Sequence, residues 1–109
     1  MPGPSHGWTL YVIDLKKTVL RDRRFRKANP EYIAGKPCVY VGLTCLTAQE
    51  RFEQHINGIH PARIVRRFWK RLRTRGTRIL RPMTRARAQR KESAYASRLR
   101  ERGWGVWSN

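Results

Sequence analysis

The longest helical pattern in this sequence has a carboxylate on its apolar side. Between about residues 84 and 102, side chains recur at the spacing of three and four that places them on one face of a helix. The residues of that face are Ala88, Glu92, Tyr95, Ala96 and Leu99. Burying an unpaired carboxylate costs several kcal/mol, so a fold that buries this face must give Glu92 a partner. Two kinds of partner are open, one of the chain's many arginines or a bound metal ion.

The balance of charges limits the class of binding partner. The 109 residues include 25 Lys plus Arg against 7 Asp plus Glu, which gives a formal net charge of +18 at pH 7. A charge of this size favours binding to a polyanion, either nucleic acid or an acidic membrane. No apolar run approaches the roughly 18 residues of a membrane span, and the first residues have no secretion signal. We therefore expect a cytoplasmic protein that binds nucleic acid and does not associate with membranes.

The remaining patterns predict a small α+β fold. We expect residues 1–7 to be a disordered lead and residues 8–109 to form a single domain, as the length of the chain favours. Aromatic and β-branched residues predict strands at residues 8–15, 38–43 and 77–80. The predicted architecture is a small, three-stranded, mostly antiparallel sheet flanked by helices.

Helical patterns and one long connection link these strands. Thr47 and Glu50 form a capping-box pattern at the start of one helix. A second, shorter helical pattern follows it and includes Trp69 and Leu72. Residues 16–37 are basic and interrupted by Pro and Gly, so we predict a long connecting loop there, with a turn of helix at most.

Two tyrosines and two residues of one helix form a set with Glu92. Tyr11 and Tyr40 lie in the first two predicted strands. Arg51 and His55 lie four residues apart and share a face of the helix that follows. Each pair alone has an ordinary explanation, core packing for the tyrosines and a solvated helix face for the other two. Their joint occurrence in this order is what points to a specific chemistry.

The order and spacing of these residues resemble the GIY-YIG nuclease family, which includes homing endonucleases, some restriction enzymes and the incision domain of bacterial excision repair. Thr9-Leu10-Tyr11 stands where the family has Gly-Ile-Tyr, and Tyr40-Val41-Gly42 stands where it has Tyr-Ile-Gly. The family's catalytic arginine, with a histidine four residues later, matches Arg51 and His55. The chain departs from the family pattern in having Thr9 in place of the first Gly and a longer connection between the two triplets.

The resemblance extends to the metal site of the family. The family's metal-binding glutamate lies on a late helix, which matches Glu92, and an asparagine near the end of its domain matches Asn109. The resemblance therefore implies a metal-dependent endonuclease that hydrolyses phosphodiester bonds in DNA. It also implies that Glu92 holds one divalent ion, Mg²⁺ or Mn²⁺. The other acids lie at predicted strand ends, in the basic loop or on exposed helix faces, so a second metal ion has no obvious carboxylates.

The resemblance also implies a role for each residue of the site. The residues with implied catalytic roles are Tyr11, Tyr40, Arg51, His55 and Glu92, with Gly42 and Asn109 in supporting positions. Arg51 would stabilise charge on the phosphoryl oxygens. Which tyrosine would act as the base stays open, and His55 could assist or replace it. Without a second domain to read sequence, cleavage is expected to be structure-directed or weakly sequence-specific.

The segment from residue 63 to residue 91 is a candidate surface for the phosphate backbone. It holds thirteen Lys plus Arg and no acid, and the mutual repulsion of such cations is relieved by binding a polyanion. The predicted nucleic-acid contacts are Arg63, Arg66, Arg67, Lys70, Arg71 and Arg73. The ordinary alternative for this basic segment is a solvated surface with no ligand. For the protein as a whole, the alternatives are a catalytically inactive nucleic-acid-binding module and a structural component of a ribonucleoprotein. Both DNA and RNA, as duplex or single strand, are compatible with these patterns.

Overall fold

A four-stranded sheet with helices on both faces organises the part of the chain that the computed structural model describes, residues 7–108. The strands are β1 (Thr9–Leu15), β2 (Cys38–Thr44), β3 (Trp69–Ile79) and β4 (Gly105–Ser108), in the order β3-β1-β2-β4. The α-helices are α1 (Arg23–Ala28), α2 (Ala48–Ile56), α3 (Arg63–Phe68) and α4 (Arg85–Glu101), with a 3₁₀ helix at Lys17–Arg21. The predicted α+β class is confirmed. Most of the predicted disordered lead, residues 1–6, lies outside the described residues.

Strand pairing explains why the sheet has four strands and not the three predicted. β1 pairs antiparallel with both β2 and β3, as expected for a mostly antiparallel sheet. Residues 105–108, where no strand was predicted, form β4, which pairs parallel with β2 from Cys38↔Gly105 to Val41↔Ser108. Four residues are too few to give a distinct strand pattern, so this strand depends on its long-range partner.

The sheet separates two apolar clusters, because successive side chains of a strand point to opposite faces. Tyr11 and Ile13 of β1 belong to the cluster covered by α2 and α3, which we call the α2–α3 face. Leu10 and Val12 belong to the cluster covered by α4, which we call the α4 face. The same alternation in β2 places Tyr40 on the α2–α3 face. The two candidate tyrosines therefore lie on the same face of the sheet.

Two predicted elements differ from the structure. The short helix that was predicted to include Trp69 and Leu72 ends at Phe68, and Trp69 begins the 11-residue β3. Leu72 instead pairs with Ile13 of β1, so strand pairing overrides the local helical spacing. The predicted third strand at residues 77–80 is only the last part of β3. The predicted basic loop was also wrong in extent, because residues 16–37 include both the 3₁₀ helix and α1. Asp22 caps α1 by accepting a hydrogen bond from the Phe25 amide at 3.0 Å.

The two helices that carry candidate site residues begin as the sequence predicts. Thr47 and Glu50 make both hydrogen bonds of the capping box at the start of α2. Thr84 caps α4, whose buried stripe includes Ala88 and Glu92. Nowhere in residues 7–108 is a helix long and apolar enough to cross a membrane.

Asn29 closes the outer edge of β4. Its amide nitrogen donates to the Val106 carbonyl at 3.0 Å, and its amide oxygen accepts from the Val106 N–H at 2.8 Å. Arg100 of α4 adds a second hydrogen bond to the same carbonyl. A buried side chain therefore takes the place of a fifth strand, which satisfies backbone groups that an edge strand leaves unpaired.

Candidate functional site

Tyr11 and His55 form a hydrogen-bonded pair between β1 and α2. The Tyr11 hydroxyl lies 2.8 Å from Nε2 of His55, and both side chains are almost fully buried. The backbone N–H of Ala62, at the start of α3, donates to Nδ1 of His55 at 3.1 Å. Because Nδ1 accepts this bond, the neutral imidazole carries its proton on Nε2 and donates it to the Tyr11 oxygen. The fold therefore fixes both the orientation and the tautomer of His55.

Tyr40 completes the aromatic part of this cluster. Its ring centroid lies 5.9 Å from that of Tyr11 and 5.5 Å from that of His55. Gly42 pairs directly with Tyr11 across the sheet, and a Cβ atom on Gly42 would lie 2.5 Å from Cζ of the Tyr11 ring. Only a glycine allows this ring to lie against β2. Gly42 thus supports the site sterically, a role consistent with its predicted supporting position.

The electrostatics of the cluster keep both of its central groups uncharged in the free protein. Burial, with a smaller contribution from the positive charge of Arg51, lowers the pKa of His55 from 6.5 to about 4. Burial, followed by the influence of Tyr40, raises the pKa of Tyr11 well above its usual range, and Arg51 opposes this rise. At neutral pH the cluster is therefore a phenol beside a neutral imidazole. A role for Tyr11 as a base requires additional positive charge near its oxygen.

Arg51 connects this cluster to the surface. Its guanidinium donates to the carbonyl of Ile59 at 3.1 Å and to that of His60 at 2.7 Å, and it also bonds the side chain of Gln54. His60 has a φ of 44°, a left-handed conformation that is uncommon outside glycine. Arg51 thus holds the turn after α2 while its charge acts on Tyr11 and His55. It is half-buried, so part of its donor capacity can reach a ligand.

Glu92 lies elsewhere in the fold. It occupies the buried stripe of α4 between Ala88 and Ala96, both of which belong to the cluster on the α4 face. The side chain is 5% exposed, and burial raises its pKa from 4.5 to about 7. Within residues 7–108 no salt bridge reaches its carboxylate. That part of the chain also contains no fully buried side-chain oxygen without a hydrogen-bond partner, so the carboxylate oxygens of Glu92 retain contact with solvent.

Glu92 offers a single carboxylate to a divalent ion. No group of three or more His, Cys, Asp or Glu within residues 7–108 could hold a metal ion. Mg²⁺ commonly binds through one or two carboxylates and completes its coordination with water and substrate phosphates. A buried, solvent-accessible carboxylate without a cationic partner can provide one such ligand, and a bound cation would lower its raised pKa. The donor set is compatible with one ion.

The structure thus brings four of the five predicted catalytic residues together and places the fifth apart from them. A hydrogen bond, ring contacts and electrostatic effects link four of them on the α2–α3 face: Tyr11, Tyr40, Arg51 and His55. Glu92 is on the helix that covers the opposite face, and burial is the cause of its pKa shift, with no contribution from Arg51. Asn109, the predicted supporting residue at the end of the domain, lies outside the described residues.

The predicted nucleic-acid contacts divide into two groups. Arg63 forms a salt bridge with Asp22 at 3.2 Å, and Arg71 and Arg73 both bond to Asp14, at 3.2 and 2.9 Å. The other three are exposed and have no salt bridge to any acid in residues 7–108: Arg66, Arg67 and Lys70. The acids in these salt bridges, Asp14 and Asp22, lie far from residues 63–91 in the sequence. The lack of acids within that segment therefore could not predict which of its cations would form salt bridges.

No protein-family model, curated protein or solved structure matches this chain.

Proposed function

We propose that this protein is a metal-dependent endonuclease that hydrolyses phosphodiester bonds in nucleic acid, with DNA as its principal substrate. The observation that carries the proposal is the convergence of Tyr11, Tyr40, Arg51 and His55 from three separate elements into one hydrogen-bonded cluster. These are the residues on which the resemblance to the GIY-YIG family rests. The net charge of +18 supports a polyanionic substrate.

Titration properties give further support. Groups with strongly shifted pKa values are concentrated at functional sites, because catalysis needs protonation states that an exposed side chain does not have. Tyr11, His55 and Glu92 all have shifted pKa values whose largest cause is burial. A core that served only for stability would be more stable with apolar residues at these positions.

The proposed roles follow from the atoms that each residue presents. Arg51 would bind a phosphoryl oxygen with its always charged, planar guanidinium. The Nε2–H of His55 would donate to the Tyr11 oxygen and stabilise negative charge there once the hydroxyl proton has passed to water. Glu92, which lies apart from this cluster, would hold one Mg²⁺ or Mn²⁺. Lewis-acid stabilisation of phosphoryl oxygens by that ion requires a substrate that reaches both Glu92 and Arg51.

A second candidate function is a nucleic-acid-binding module without catalysis, and three observations favour it. Tyr11, Tyr40 and His55 are at most 1% exposed. Arg51 already donates to two backbone carbonyls. Glu92 belongs to the helix on the other face of the sheet. Under this alternative the Tyr–His pair would be a structural hydrogen bond, and binding would depend on surface cations alone.

A cleavage assay distinguishes the two candidates. Purified protein is incubated with labelled duplex, single-stranded and branched DNA and with RNA of the same sequence, each with Mg²⁺, Mn²⁺ or EDTA. The enzyme should cut at least one substrate in the presence of a divalent ion and none with EDTA. Arg51→Lys, which keeps the charge but loses the planar donor, should cut far more slowly while binding similarly. Binding without metal-dependent cleavage of any substrate would favour the inactive module. We also propose that the protein acts in the cytoplasm, the location expected from its sequence.

A further inference from the structure

A basic recess lies where the end of β3 turns into α4. It has a volume of about 510 Å³ and is lined by four cationic side chains and no acid. Arg78 comes from β3 and Arg81 from the connection, while Arg87 and Lys91 lie one turn apart on α4. We call it the β3–α4 recess. Its cations come from three consecutive parts of the chain, and only their folding together creates the concave surface.

The floor of the recess is fixed to the rest of the protein. Leu80 is buried in the cluster on the α4 face, and its N–H donates to the Trp8 carbonyl at 2.7 Å. The indole N–H of Trp8 in turn donates to the Met83 carbonyl at 3.2 Å. Arg78 lies over the ring of Tyr95, with its guanidinium carbon 5.3 Å from the ring centroid. The cations are therefore presented on a supported surface.

The charges of the recess are not neutralised by the protein. The salt bridges found within residues 7–108 engage Arg63, Arg71 and Arg73, and none engages a cation of the recess. The first turn of α4 contains no acid, although the positive end of a helix dipole favours acids and disfavours cations. Arg87 at this end thus adds to an electrostatic cost that a bound anion would relieve.

We infer that the β3–α4 recess binds the phosphates of a nucleic-acid strand and is the principal phosphate contact of the protein. This inference rests on the proposed function only in taking nucleic acid as the ligand, and it does not require catalysis. It moves the main contact away from Arg71 and Arg73, whose charges are shared with Asp14. Contacts of this kind position a strand and carry little sequence information.

The test compares two variants with the same reduction in charge. The recess variant carries Arg81→Gln, Arg87→Gln and Lys91→Gln and keeps Arg78, which packs on Tyr95. The control variant carries three matching changes in α1, beside β4 at the other edge of the sheet: Arg24→Gln, Arg26→Gln and Lys27→Gln. All six side chains are exposed, so both variants should remain folded, which thermal unfolding checks. A third variant, Arg81→Lys with Arg87→Lys, keeps the charge of the recess.

Binding of a fluorescein-labelled DNA duplex is measured by anisotropy over a range of salt concentrations. The recess variant should bind roughly tenfold or more weakly, and its log–log salt slope should become shallower by about one for each phosphate that it no longer neutralises. The control variant should change much less, and the lysine variant should stay close to wild type. Equal weakening in the recess and control variants would overturn the inference, because net charge alone would then explain binding. Wild-type affinity and salt dependence in the recess variant would also overturn the inference.

Cleavage is followed in the same samples, which separates this inference from the proposed function. Loss of binding in the recess variant, in a protein that cuts no substrate, would support the recess and overturn the endonuclease proposal. Metal-dependent cleavage by the wild type, together with unchanged binding by the recess variant, would support the endonuclease proposal and overturn the inference about the recess. A wild-type protein that binds neither DNA nor RNA would overturn both.

Discussion

Replacing Glu92 by Gln should stabilise the protein at alkaline pH and have little effect at acidic pH. Burial raises the pKa of Glu92 from 4.5 to about 7, so between these values the folded state holds a proton that the unfolded state has released. The free energy of unfolding must then fall as the pH rises through this window. The difference between the two pKa values corresponds to about 3 kcal/mol. Gln keeps the shape and hydrogen-bonding atoms of the side chain but cannot ionise.

The measurement is urea denaturation of wild type and Glu92→Gln at pH 4 and at pH 8.5. The two proteins should have similar free energies of unfolding at pH 4, where the Glu92 carboxyl is neutral, and the variant should be more stable at pH 8.5 by roughly 3 kcal/mol. Because both proteins share every other titrating group, the change in this difference isolates Glu92. Glu101→Gln, at an exposed carboxylate on the same helix, is the matched control for the replacement of Glu by Gln.

Divalent ions extend the same experiment to the proposed metal site. An ion that binds only the folded protein raises its stability in proportion to the logarithm of its concentration above Kd. Added Mg²⁺ or Mn²⁺ at pH 8.5 should therefore stabilise wild type and leave Glu92→Gln unchanged. A stability difference that does not grow between pH 4 and pH 8.5 would refute the argument from burial, and equal stabilisation of both proteins by the ion would place the metal elsewhere.

Three further predictions concern the cluster on the α2–α3 face. Arg51→Ala should lower the cleavage rate at saturating substrate by about 10²-fold or more while affinity changes little; equal reductions in both, measured by single-turnover kinetics and anisotropy, would make Arg51 a phosphate anchor. Burial of neutral His55 should lower the free energy of unfolding by roughly 3 kcal/mol as the pH falls from 6.5 to 4. Denaturation of Glu92→Gln with and without His55→Gln measures this decrease free of the opposing effect of Glu92, and a decrease that persists without His55 would contradict it. Gly42→Ala should destabilise the protein by about 1–3 kcal/mol, because its Cβ would meet the Tyr11 ring; thermal unfolding at the wild-type temperature would mean that the ring can move aside.

Local patterns were sufficient for the elements whose signals are local. The capping box of Thr47 and Glu50, a signal from residues three positions apart, placed the start of α2, and the periodic pattern from about residue 84 placed the start of α4. The predicted helix through Trp69 was wrong, because its spacing of apolar residues suited a helix while pairing with β1 decided the outcome. β4 was missed as a strand for the same reason.

The candidate site was likewise predictable where its signals are local and not where they depend on the tertiary fold. The sequence identified Tyr11 and His55 as members of one candidate set, but it did not predict their hydrogen bond. The Ala62 N–H that fixes the imidazole tautomer could not be found from side-chain types. The periodicity of α4 placed Glu92 on a buried stripe, and the structure adds that this stripe covers the other face of the sheet from Tyr11. Periodicity assigns a residue to a face of its own helix, whereas the side of the sheet depends on how the chain crosses between strands.

The pairing of β2 with β4 has a consequence for how the chain folds. β1 and β2 can associate early, but the contact of Asn29 with Val106 joins residues 77 positions apart, and contacts at such separation form late because long loops must close first. Until β4 and Asn29 are in place, β2 has an edge with unpaired backbone groups, and such an edge is a template for strands of other chains. We therefore expect the interval before β4 docks to be the stage at which this protein is most exposed to aggregation, and refolding yield should fall steeply as protein concentration rises.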